Sequence, residues 1–148
     1  MKKRIRRQRE ERRGAVLVET AIVLPIFFLV VLGIIEFGRA FMVMQLVNTA
    51  AREAARSAIT DGTDNTEVTD MVQSLVSNTV SIPKDKVSVQ VSIAEYNGNP
   101  NTNDEISKAH KRDTIKIDVA VNYADTSFLT PRFLSSAMIR GTSAMRHE

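Results

Sequence analysis

The sequence predicts an α+β fold: a long amino-terminal transmembrane helix continuing into an amphipathic helix, packed with a short helix on a small three-stranded antiparallel sheet. Three observations predict it. The 21 residues from 15 to 35 carry one charge, Glu19. Apolar residues then recur at helical spacing as far as Ala58, and again from Val68 to Val80. Beyond Pro83, two runs alternate apolar and polar residues with period two, as strands with one buried face do.

The first fourteen residues form a basic leader. Lys2, Lys3, Arg4, Arg6, Arg7, Arg9, Arg12 and Arg13 stand against Glu10 and Glu11, a side-chain sum of +6. The whole chain carries +3, so everything after Gly14 sums to −3. The basic pI therefore belongs to the leader. A basic tail can bind phosphate through charge alone, but an apolar segment follows this one at once. Membrane topology explains that layout better than nucleic acid, which we exclude as a partner. The chain has no cysteine, so disulfides, thiolate zinc sites and thiol catalysis are excluded.

The apolar stretch from residue 15 to 35 spans roughly 32 Å as a helix, close to the hydrocarbon thickness of a bilayer. Eight cations precede it, whereas Glu36 and Arg39 follow. The positive-inside bias predicts a cytoplasmic amino terminus and an exported carboxyl terminus. Three readings compete. A cleaved secretory signal needs a short core and a small-residue cleavage site, yet this core is long and runs into Glu36-Phe37-Gly38-Arg39. An uncleaved anchor explains the length but not Glu19. A precursor cut after Gly14 explains both, because Glu19 then lies one helical turn from a new amino terminus at Ala15. The plain alternative for Glu19 is a hydrated carboxylate at the cytoplasmic interface. Pro25 is tolerable within a membrane helix.

Phe37, Phe41, Met44, Asn48, Ala51, Ala55 and Ala58 alternate spacings of four and three, which predicts that an amphipathic helix continues the span. Its alanine end allows close packing on a sheet. Asp61-Gly62-Thr63-Asp64-Asn65 reads as a turn. It fails as an EF-hand calcium loop, whose third and twelfth positions would be Thr63 and Val72. A second helix is expected from Thr66 to Thr79, capped by Asn65 or Thr66. Val68, Met71, Val72, Leu75, Val76 and Val80 form its apolar stripe.

Val87, Val89, Val91 and Ile93 mark the first strand; Ile115, Ile117, Val119, Val121 and Tyr123 mark the second. Between them, Asn97 to Asp113 reads as a long polar hairpin loop, mobile, serving either as a solvated connector or as a binding loop. Pro131 to Ser136 is expected to form a short helix capped by Thr130, and Met138 to Arg146 a third strand. His110 and His147 are expected in solvent. No nucleophile motif, phosphate loop or metal-binding helix is present in the sequence. The pattern therefore reads as a structural or interaction protein and not an enzyme, without catalytic residues, metal or cofactor.

The boundary from Arg12-Arg13-Gly14 to Glu19-Thr20 resembles the class III leader of type IV pilins and pseudopilins. Arg13 to Pro25, then Gly33-Ile34-Ile35-Glu36-Phe37-Gly38-Arg39-Ala40, Ala50-Ala51-Arg52-Glu53-Ala54-Ala55-Arg56 and Ala144-Met145-Arg146, are similar to the TadE-like family. The resemblance is specific over roughly residues 12–58. It implies a pilin-like fold and a minor pseudopilin of a bacterial tight-adherence (Tad/Flp) type IV pilus. Gly14 would be the last leader residue, Ala15 the mature start and Glu19 the acid used in assembly. Implied partners are a prepilin peptidase, other pilins and pseudopilins, the inner-membrane assembly platform and membrane lipid. One departure is Glu19-Thr20, where the shorter major Flp pilin typically has Glu-Tyr, which argues against the main filament subunit. The expected organisation is a cytoplasmic leader (1–14), an inner-membrane span (15–36) and an exported α+β domain (37–148). The competing reading is an uncleaved single-pass membrane protein whose exported sheet binds an envelope partner.

Overall fold

The computed structural model of the chain describes residues 2–60, 63–127 and 131–147, with side chains described from residue 14 onward. It divides into two compact units, Met1–Phe37 and Gly38–Glu148. Helix α1, Lys2–Ala58, already includes the leader and holds Pro25 in its interior.

The described part of the first unit is helical throughout. Most of its large apolar side chains between residues 16 and 35 are exposed, Leu17 by 70% and Ile34 by 68%. A core helix would bury a stripe of such residues. None of this apolar window is buried by the chain, and the helix is long and apolar enough to cross a membrane.

The second unit is built on the carboxyl-terminal part of α1. Val43, Val47, Ala50, Ala51, Ala54, Ala55 and Ala58 are fully buried. Helix α2, Asn65–Val80, buries Val68, Val72, Val76 and Val80, one residue per turn. The sheet follows as β1 (Val87–Ala94), β2 (Thr114–Asn122) and β3 (Met138–Arg146). Both pairings are antiparallel in the order β1-β2-β3, with Val89 opposite Val119 and Val119 opposite Gly141. Ile115, Ile117, Val119 and Val121 fill the centre of the core. The missing side chain at Gly141 lets β3 meet α1 at backbone distance. A Cβ at Gly141 would lie 2.8 Å from the Val47 carbonyl carbon and oxygen and from the Asn48 nitrogen.

Several local expectations are corrected. Phe37, Phe41 and Met44 are exposed (47, 62 and 39%), and Val43 and Val47 are buried in their place. The polar residues between Phe37 and Val47, Arg39 and Gln45, do not line one face of α1, so spacing alone does not fix which face turns inward. The cap of α2 is Asp64, whose carboxylate accepts the Glu67 N–H at 2.8 Å. Asn65 has another use: its amide bonds the loop, accepting from Ile106 N at 2.8 Å and donating to Asp104 O at 2.7 Å. β2 ends at Asn122, which accepts from Ala124 N and opens a single-turn helix, α3 (Tyr123–Thr126). Tyr123 is buried there and donates its N–H to Ala137 O. The segment 131–136 forms bends and a turn, not a helix. Six residues are too few to nucleate a helix without strong packing, and Ala137 closes back onto Leu134 O. The proposed caps and turn residues Thr130, Asp61 and Gly62 lie outside the described residues.

Candidate functional site

Gly14, Ala15 and Glu19 are all exposed and all helical. A Cβ at Gly14 would meet nothing within 4 Å, so packing within the chain does not require glycine there. The same holds at Gly38. What distinguishes Gly14 is its place, at the step from a basic to an apolar sequence. Glycine inside a helix costs about 1 kcal/mol relative to alanine.

Glu19 projects among exposed apolar side chains, with Val16 59%, Leu17 70%, Val18 62% and Val23 55% accessible. Ala15 and Glu19 are four residues apart, so they share a helix face. The neighbouring Thr20 hydroxyl donates to Val16 O at 2.8 Å and so satisfies itself within the helix. The residues singled out in the sequence thus form one short lipophilic segment with a single carboxylate.

The loop from residue 95 to 113 is tied down by carboxylates, contrary to the expectation of mobility. Asp113 is fully buried and accepts from Tyr96 N (2.8 Å), Asn99 Nδ2 (2.6 Å) and His110 N (2.7 Å). Burial raises its pKa, but these donors outweigh it and hold the carboxyl below the usual aspartate value. The exposed His110 ring lies 3.9 Å from the same carboxylate. Glu95 accepts from the Thr102 N–H and hydroxyl, both at 3.1 Å, and the N–H keeps its pKa low. Asp104 accepts the Ile93 N–H at 2.7 Å, and Ile106 is buried in the core. These carboxylates satisfy backbone donors of the loop and of β1, so they read as a structural clasp. Among the described residues, no group of three or more His, Cys, Asp or Glu could hold a metal ion.

The outer face of the sheet carries a depression of about 430 Å³, bordered by Lys86, Ser88, Gln90, Lys116, Asp118 and Arg140. Lys116 pairs with Asp118 at 2.8 Å, and the Thr142 hydroxyl also donates to Asp118. The Lys116 bond, then the Thr142 bond, holds the Asp118 pKa down. Sequence reading missed this face, because it depends on strand order.

Residues 14–56 match the family model described as TadE-like protein. The match begins at the boundary glycine, contains Ala15 and Glu19, and extends along α1 nearly to its end. It does not include α2 or the sheet. No curated protein and no solved structure matches the chain.

Proposed function

We propose that this chain is a minor pseudopilin of a tight-adherence type IV pilus system. It is made as a precursor, held in the inner membrane by residues 15–36 with its leader in the cytoplasm, and cut between Gly14 and Ala15. The observation that carries this reading is the position of Glu19. It is the one charge in an exposed apolar helix, one turn beyond a basic-to-glycine boundary, inside the TadE-like segment.

A carboxylate at a bilayer centre costs about 2.5–3.5 kcal/mol on insertion scales, and less near an interface. A lone anchor gains nothing from it. Cleavage creates a cationic amine at Ala15. In a bundle of such helices, that amine can meet the Glu19 carboxylate of a neighbouring subunit. In low dielectric, an opposite charge nearby favours the ionised acid. The pair would then set the axial offset between subunits as other pilins and the assembly platform draw the helix out of the membrane. The exported unit, Gly38–Glu148, would be the part displayed to partners.

Glu19→Gln tests the reading, because it keeps the shape and removes the charge. Insertion should persist, since neutralising an intramembrane acid lowers the insertion cost. Peptidase cutting should persist, since the scissile bond and the basic leader are intact. Crosslinking to other pilins and export of pili should fail. Normal processing with wild-type amounts of pili would overturn the pairing and leave Glu19 as a hydrated interfacial residue.

A further inference from the structure

The two edges of the sheet are treated differently. On β1, the Ile93 N–H is taken by the Asp104 carboxylate at 2.7 Å and the Val87 carbonyl by Gln73 Nε2 at 3.1 Å. Odd-numbered residues of β1 therefore turn their peptide groups away from β2, and side chains from α2 and the loop plug both ends of that edge.

The same parity fixes β3. Odd residues at its two ends bond the β2 side: Ala137 O accepts from Tyr123 N at 2.9 Å, and His147 N donates to Asp113 O at 2.8 Å. In the register, Ile139, Gly141, Ser143 and Met145 therefore spend their peptide groups on β2. Met138, Arg140, Thr142 and Ala144 turn theirs outward. Among the described residues, none of these outward groups meets a partner. All four residues are exposed, Met138 by 56%. No proline interrupts β3, and its nine residues offer a long, open edge. Natural sheets usually block such an edge, because it templates pairing with another chain.

Charge identifies what the edge can accept. The side chains of its outward residues share the outer face, where Arg140 borders the same depression as Lys116 and Lys86, and Arg146 lies toward the far end of β3. Among the described residues, the acids paired on this face are Asp118, engaged with Lys116 at 2.8 Å, and Asp125, engaged with Lys86 at 3.7 Å. A second copy paired edge to edge would crowd its own arginines along the same seam. Like charges across strands are unfavourable, and opposite charges favourable.

We propose that the open edge of β3 is a docking site for an extended acidic segment of a partner protein. The segment adds to the sheet as a fourth strand beside β3. Its backbone exchanges hydrogen bonds with Arg140, Thr142 and Ala144. Residues directly opposite these place their side chains on the outer face, so acids at alternate positions reach Arg140, Arg146 and the depression beside Lys116. Backbone bonds supply the attachment and alternate side chains the selectivity, as in other strand additions.

The test uses the full chain in detergent micelles and a labelled seven-residue peptide of alternating glutamate and valine. Two derivatives carry N-methyl groups on one or the other alternate set of amides. A lysine–valine peptide is the charge control. Expected are binding of the glutamate peptide, at least tenfold loss for one N-methyl set and none for the other, and at least tenfold loss in Arg140→Glu. The amides of Arg140, Thr142 and Ala144 should gain hydrogen-exchange protection. Equal binding of both N-methyl sets or of the lysine peptide, or no binding, would overturn the proposal. So would concentration-dependent pairing of the chain with itself through β3, which would assign the edge to a second copy. The N-methyl comparison leaves the protein unaltered and stands even if Arg140→Glu misfolds.

Discussion

Replacing Gly141 with alanine adds one methyl group where α1 and β3 meet at backbone distance. The new carbon would sit 2.8 Å from three backbone atoms, the Val47 carbonyl carbon and oxygen and the Asn48 nitrogen. Non-bonded heavy atoms are at rest near 3.5–4.0 Å, so the overlap is close to ~1 Å. A flexible side chain could swing aside, but a helix backbone cannot. Either α1 or β3 must retreat, which loosens the packing of Val47, Val119 and Ile139, all buried. Overpacking typically costs about 1–3 kcal/mol, and a clash with backbone belongs at the upper end. At about 4–8 °C per kcal/mol for a unit of this size, Tm should fall by roughly 10–20 °C. The chain has two tyrosines and no tryptophan, and Tyr123 is buried in the same unit, so near-ultraviolet circular dichroism reports the melt. Gly38→Ala is the control. It is exposed, helical and meets nothing within 4 Å, so it should leave Tm unchanged or raise it. An unchanged Tm in Gly141→Ala would refute the close approach of α1 to β3.

Acid should destabilise the second unit. Asp113, Asp118, Glu95 and Asp64 all have pKa values lowered by hydrogen bonds in the fold. The unfolded chain binds more protons in that range, so their contribution is full above about pH 5 and is lost as pH falls through the folded values. Tm measured downward from pH 5 should drop, and Asp113→Asn should show a shallower drop from a lower starting Tm. Asp64→Ala removes the cap on Glu67 N, which should be seen as faster amide exchange at Glu67 with β2 unaffected.

The fold was legible wherever one periodicity dominated. β2 alternates from Ile115 to Val121 apart from Ala120 at an outward position, and its four large apolar residues are buried. On α2, Val68, Val72, Val76 and Val80 set the phase, although Leu75 stays 38% exposed. On α1 the alanines were placed correctly, but Phe37, Phe41 and Met44 were not. There the two polar residues, Arg39 and Gln45, do not form one polar face that would fix the phase of the helix. The loop from 95 to 113 was legible in composition only. Asp113, Asp104 and Glu95 bind backbone N–H groups, which every residue but proline offers, so no sequence pattern marks the partners. The expectation for Gly14, Ala15 and Glu19 rests on a linear signal: charge, glycine, apolar run, acid. The open edge of β3 has no such signal, because an edge exists only once the strand order is known.

The amino-terminal sequence of the protein isolated from its own cell envelope tests the central claim most directly. The account predicts that the chain begins at Ala15, and that Gly14→Leu leaves a longer, membrane-bound precursor. A chain that begins at Met1 would contradict it and make α1 an uncleaved anchor. A start beyond Phe37 would contradict it too, and make the apolar helix a discarded export signal.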